Sequence, residues 1–257
     1  MTVKTSGATG KAALAAFAVV VLGFAGYVLQ HRPPIPVARL VSPATLSVAP
    51  APPQPAALFV GDSYTLGTGA SGARQAESCL TADALGWSCN LDAEDGTGFI
   101  NNGHSFDLTA SALLGRLKDT KARYYADIIL VDAGRSDARF ASEQVQRAET
   151  IYLTALRAAW PKATLVLIAP YYMSSFAPLF GSSYLHYLQV QAKRFSAAVL
   201  DPIGEGWISE ATAGMTTLDR VDPDAAGHRY IAQHLVTDLR RLGLGQVPLT
   251  DPRRRTS

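Results

Sequence analysis

A serine at the end of an apolar run and a histidine beside three carboxylates are the residue types of nucleophilic and acid–base chemistry. The apolar run ALFVG (57–61) leads into GDSYTLGTG (61–69), so Ser63 follows a candidate buried strand directly. A hydroxyl there stands at the strand's C-terminal end, and the neighbouring glycines let backbone amides approach an anion. Asp and Ser also cap helices, so this triplet has a purely structural reading as well. Near the end of the chain, DRVDPDAAGH (219–228) holds Asp219, Asp222, Asp224 and His228 just before an amphipathic helix. Its spacing is unusual, because no Asp stands three residues before the His. Two more glycine-containing loops lie between, AEDGTGFINNG (93–103) with Gly96, and DAGRSDARF (132–140) with Ser136.

The elements that must position these loops alternate. Strand candidates are 57–61, 87–91, 126–134, 164–170 and 197–203. Helix candidates are 73–85, 108–117, 141–160, 184–197 and 224–242, the third carrying an apolar stripe of Val145, Ala148, Ile151, Tyr152, Ala155 and Leu156 and ended by Pro161. Strands that read as nearly continuous apolar runs between helices predict an α/β fold with a parallel sheet covered on both faces. In such sheets the site lies at the C-terminal ends of the strands. That is where the loops after Val60, Leu91, Val131, Ala169 and Leu200 begin.

The chain has 257 residues, a net charge of +2 and 17% charged residues. This fits one globular domain with appendages and offers no argument for nucleic acid; Arg253, Arg254 and Arg255 read as a solvated end. Residues 12–29 are apolar and long enough to reach across roughly 27 Å of bilayer, which makes 12–30 the candidate span. The stretch HRPPIP follows in place of a cleavage site, so a transmembrane signal anchor is expected rather than a cleaved signal or a buried helix. Residues 1–11 form its cytoplasmic tail, and the domain is expected outside the cytoplasm, in the cell envelope or on the extracellular face. Pro33, Pro34, Pro36, Pro43, Pro50, Pro52, Pro53 and Pro55 make 31–56 poor in donors. Such a segment favours an extended stalk at ~3.1 Å per residue. The domain proper is 57–243, and 244–257 a flexible tail.

Cys79 and Cys89 are the two cysteines. Without a CxxC or a nearby His they do not suggest zinc, and in an exported domain they predict one disulfide worth roughly 2.5–3 kcal/mol by chain entropy. In a cytosolic domain two buried thiols would be expected instead.

Taken together, the four loops make the stretch 57–243 resemble the SGNH/GDSL hydrolases. The resemblance implies a three-layer α/β/α sandwich of flavodoxin-like type, with Ser63 as nucleophile in the GDS block. It matches Gly96 to the oxyanion glycine. The family's GxND block stands here as GRSD (134–137), with Ser136 at the Asn position. Its DxxHP block stands as DRVDP (219–223), with Asp219 at the triad acid and Asp222 where the base belongs. His228 lies beyond the matching position; it is a low-ranked alternative base, and packing or capping of the last helix is its expected role. The family uses no metal or organic cofactor, and none is expected here. The implied substrate is a small ester or an acylated glycan, and a monomer is expected.

Both departures fall on chemistry. Removing a triad's base typically costs ~10⁶ in turnover and leaves ~10³–10⁴ over water. Losing one oxyanion donor costs a further ~10²–10³. An unperturbed Asp, with a pKa of ~3.9, is a poor general base at neutral pH, although repulsion from Asp219 would raise Asp222. A divalent cation held by Asp219, Asp222 and Asp224 is a further reading, without a recognised loop pattern. The expectation is therefore an anchored, exported serine esterase or acetylhydrolase with a degenerate site. The alternatives are a non-catalytic binding module that keeps the pocket and a scaffold that only docks partners.

Overall fold

A computed structural model describes residues 54–218 and 220–246. The expected anchor over 12–30, the stalk up to residue 53, Asp219 and the tail beyond 246 lie outside the described residues. Among the described residues no helix is long and apolar enough to cross a membrane.

Five strands, β1 (Ala56–Gly61), β2 (Ser88–Ala93), β3 (Ile128–Asp132), β4 (Thr164–Ile168) and β5 (Ala197–Leu200), form one sheet in the order β2-β1-β3-β4-β5. Every pairing is parallel. The helices are α1 (Ser63–Leu66), α2 (Glu77–Leu85), α3 (Leu113–Arg123), α4 (Ser142–Ala159), α5 (Ser182–Phe195) and α6 (Ala225–Arg241).

Successive strand side chains point to opposite faces, and here both faces are covered. Leu58, Val60, Ile129, Val131, Leu165 and Leu167 pack in one core with residues of α3, α4 and α5. Ala57, Phe59, Ile128, Leu130, Val166 and Ile168 pack in a second core with α2 and with Ile231, Leu235 and Leu239 of α6. The described domain is a three-layer α/β/α sandwich, with the parallel sheet covered on both faces as the continuous apolar runs predict. The register pairs Gly61 with Ala93 on one side and with Asp132 on the other. The loops after β2, β1 and β3 therefore leave the same edge side by side.

Two elements differ from their expected bounds in an informative way. The helix expected over 108–117 runs instead over Leu113–Arg123. Asp107 turns the chain first, its carboxylate accepting from the Thr109 amide and hydroxyl at 2.8 and 2.7 Å. This leaves Leu108 in solvent, while the later, charged half of the segment is helical because Arg116, Leu117 and Thr120 face inward. Strand β2 is more polar than its neighbours because it lies at the sheet edge. Its Asp92 accepts from Arg116 Nε at 2.5 Å. The expected disulfide is present: Cys79 on α2 is bonded to Cys89 on β2.

Candidate active site

Asp62 and Ser63 sit where β1 stops. Asp62 caps α1, its carboxylate accepting from the Tyr64 amide at 3.2 Å, and Gly67 closes this single turn in the left-handed conformation. Ser63 is thereby half-buried at the first helical position, just beyond the C-terminal end of β1, which lies between β2 and β3.

The neighbouring loops are tied to this turn one by one. On the β2 side, Thr68 donates to Asp95 at 2.5 Å, which brings the turn carrying Gly96 beside the GDS loop. Gly96 has a φ of 66°, and a Cβ there would collide with the Phe106 ring. Arg116 braces the same junction from below, donating to the Gly61 carbonyl at 2.9 Å and to the Thr97 hydroxyl at 3.0 Å. On the β3 side, Arg135 donates to Asp62 at 2.7 Å and to Asp132 at 2.5 Å. The Ser136 hydroxyl donates to the other Asp62 oxygen at 3.3 Å. The loop before α6 is held from above: the Tyr64 hydroxyl donates to the Val221 carbonyl at 2.8 Å.

Asp137 joins the second and third loops. Its buried carboxylate accepts from the amides of Phe99, Asn101 and Ile100 at 2.7, 2.8 and 3.2 Å. A Cβ on Gly98 would run into that carboxylate, so only glycine allows the approach. Burial pushes the Asp137 carboxyl above its ordinary range, against the pull of the three amides.

The base position is occupied by Asp222, half-buried in the loop that Tyr64 holds, with its carbonyl accepting from the Thr217 amide at 2.8 Å. Burial is the main cause that raises the phenols of Tyr64 and Tyr172; Arg135 opposes it, and the charges of Asp62 and Asp222 add to it. Asp224 is spent on the helix, one oxygen accepting from the Ala226 and Gly227 amides at 2.8 and 2.9 Å.

His228 is fully buried, with 0% exposure. Its Nδ1 faces the Glu77 carboxylate, and its Nε2 lies 3.0 Å from the Thr68 carbonyl. Burial disfavours the charged ring, but Glu77 and Thr68 outweigh it and hold the pKa above the ordinary histidine value. Both ring nitrogens are thus already engaged within the protein, Nδ1 by Glu77 and Nε2 by Thr68, and neither is left open toward Ser63. The ring joins α6 to α2 and to the GDS loop.

Sequence reasoning passed over Asp62, Arg135 and the aromatic pair that encloses the guanidinium, Tyr64 at 4.0 Å and Tyr171 at 5.1 Å from it. The available signal was an acidic residue at the end of each of two adjacent strands, Asp62 just after β1 and Asp132 at the last position of β3, with Arg135 in the loop that follows.

Compared by sequence, the chain matches no protein-family model and no curated protein. Compared by structure, it is similar to a family two carbohydrate esterase from Clostridium thermocellum in complex with cellohexaose, at a TM-score of 0.58 and 18% identity over 76% of this chain and 66% of that one. It is also similar to the psychrotrophic esterase EstA from Pseudoalteromonas sp., inhibited by monoethylphosphonate, at 0.56 and 15% over 74% and 98%. An acetyl xylan esterase, Est2A, from Butyrivibrio proteoclasticus gives 0.52 and 18% over 75% and 65%. The chain has the fold of these esterases. What it shares with them is the sandwich, and the chemistry rests on its own residues.

Chemically, the arrangement offers a hydroxyl at a strand end, a glycine turn on one side and a hydroxyl on the other. It supplies carboxylate, not imidazole, in the loop above. Among the described residues, no three His, Cys, Asp or Glu side chains are grouped to hold a metal ion.

Proposed function

We propose that this protein is a serine ester hydrolase of the SGNH type with a degenerate site, acting slowly on a small carboxylic ester or O-acetyl group. The carrying observation is the placement of Ser63 just beyond the C-terminal end of β1, between β2 and β3, with the Gly96 turn tied on one side and Ser136 on the other. In this reading Ser63 attacks the carbonyl carbon, and the backbone amides of Ser63 and Gly96 stabilise the oxyanion. The missing imidazole lowers the rate, and Asp222 with Asp219 serves as a weak substitute. Ser136 adds an oxyanion donor only if its hydroxyl leaves Asp62. Structural neighbours that are esterases support the reaction class.

The proposal extends to place. Residues 12–30 anchor the chain in a membrane, and 31–56 hold the domain on the outer side. The Cys79–Cys89 bond supports an oxidising compartment.

A second reading, a binding module that has lost turnover, is favoured by the way Ser136 is engaged with Asp62 and His228 with Glu77. The test is para-nitrophenyl acetate turnover by the full chain and by Ser63→Ala, with a fluorophosphonate label located by mass spectrometry. The hydrolase reading expects label on Ser63 and turnover above the Ser63→Ala background. Unlabelled Ser63, with equal turnover in both proteins, leaves the binding module.

A further inference from the structure

Large apolar side chains in solvent are not spread evenly over this molecule. Leu114, Tyr125, Ile151, Val190 and Leu242 are exposed singly, each on a different helix or connection. Phe106, Leu108, Phe176, Leu218 and Val221 are instead gathered on loops that bear or border the candidate site. Isolated exposed apolar residues are ordinary, whereas a group of them around a site asks for an apolar ligand.

The contacts place them on two sides of Ser63. On the β2 side the Phe106 ring packs against Gly96 yet remains 73% exposed. On the other side, the Val221 carbonyl is held by the residue after Ser63. Ser174 donates to the Arg220 carbonyl at 3.1 Å, which joins the Phe176 loop to the loop of Leu218 and Val221. The GDS loop that carries Ser63 is thus tied on one side to the turn that Phe106 covers and on the other to the loop of Leu218 and Val221.

We propose that this rim is the chain-binding part of the site, and that the ligand carries an apolar group of several carbons next to its ester rather than an acetyl on a sugar. The inference rests on the ester-hydrolase reading for the bond that is cleaved, but its own content is a binding preference. A hexanoyl chain laid on either apolar bank removes more apolar surface from water than an acetyl group does.

The test measures binding of N-hexanoyl and N-acetyl para-nitroanilide, and of methyl 6-O-acetylglucoside, to the full-length chain, to Ser63→Ala, and to the double variant Phe106→Ser with Phe176→Ser. The expected result is that hexanoyl binds at least ~10-fold tighter than acetyl in the parent and in Ser63→Ala. In the double variant the ratio falls toward one without a lower melting temperature, since both rings are exposed. Equal binding of the two anilides by the parent, tighter binding of the glucoside, or an unchanged ratio in the double variant overturns the proposal. Because the preference is read in Ser63→Ala as well, absent turnover sinks the hydrolase reading alone, and an absent preference sinks this inference alone.

Discussion

The guanidinium of Arg135 donates to the carboxylate of Asp62 at 2.7 Å, and Asp62 is the residue that turns the chain into Ser63. Arg135 also holds Asp132 and lies between two tyrosine rings, with 2% of its surface exposed. Two buried carboxylates thus share one cation. Burial pushes Asp132 up to about 7, even with Arg135 pulling it down. The turn that presents Ser63 is set by an ion network rather than by the strand alone.

Removing the cation leaves both carboxylates buried without it. Arg135→Met is expected to destabilise the domain by about 3–5 kcal/mol. Arg135→Lys retains the charge but cannot donate to both carboxylates in the same forked geometry, so a smaller loss is expected. Urea denaturation of parent and both variants checks the order; an Arg135→Met variant as stable as the parent contradicts the account.

Gly98 and Asp137 form one device. Gly98→Ala places a methyl group against the Asp137 carboxylate, and Asp137→Ala leaves three inward amides without their acceptor. Each change is expected to cost at least about 2 kcal/mol. The double variant should cost less than the sum, because the two remove the same fit. Additive losses in a double-mutant cycle would separate the two residues.

Glu149 on α4 is buried with the Tyr184 hydroxyl donating to it at 2.6 Å, and burial pushes its carboxyl up to about 8. A raised carboxyl binds its proton more tightly in the folded chain than in the unfolded one. Stability from this group is therefore present at low pH and lost as pH rises from about 4.5 to about 8. The shift corresponds to on the order of 5 kcal/mol at most. Glu149→Gln keeps an acceptor for Tyr184 and removes the titration. Its melting temperature should fall less between pH 5.5 and 8.5 than the parent's does, and an identical fall in both proteins would show that Glu149 is not the source.

The sandwich was legible because strands covered on both faces need apolar residues at nearly every position, as in ALFVG and IILVD. The start of α3 was not, because the Asx turn at Asp107 and the inward Arg116 depend on contacts, not on apolar periodicity. At the site, the resemblance to the SGNH/GDSL hydrolases singled out Ser63, Gly96, Ser136 and Asp222. It could not tell that Ser136 would meet Asp62, or that Arg135 would be buried. Both follow from the register that sets Gly61 beside Asp132. His228 illustrates the opposite case: a residue of catalytic type whose two nitrogens are spent on Glu77 and Thr68.

The central claim is that the site around Ser63 lacks only an efficient base and a longer donor. Asp222 lies in the loop that the Tyr64 hydroxyl holds through Val221, so Asp222→His brings an imidazole to the loop above Ser63. The most direct measurement is hydrolysis of para-nitrophenyl acetate by the parent, Asp222→His, and Asp222→His with Ser136→Asn, against a Ser63→Ala background. The account predicts a gain of at least ~10²-fold for the single change and more for the double, short of the ~10⁶ that a complete triad member is worth. A brisk parent that Asp222→His silences would make Asp222 itself the catalytic base, and variants no better than Ser63→Ala would contradict the claim altogether.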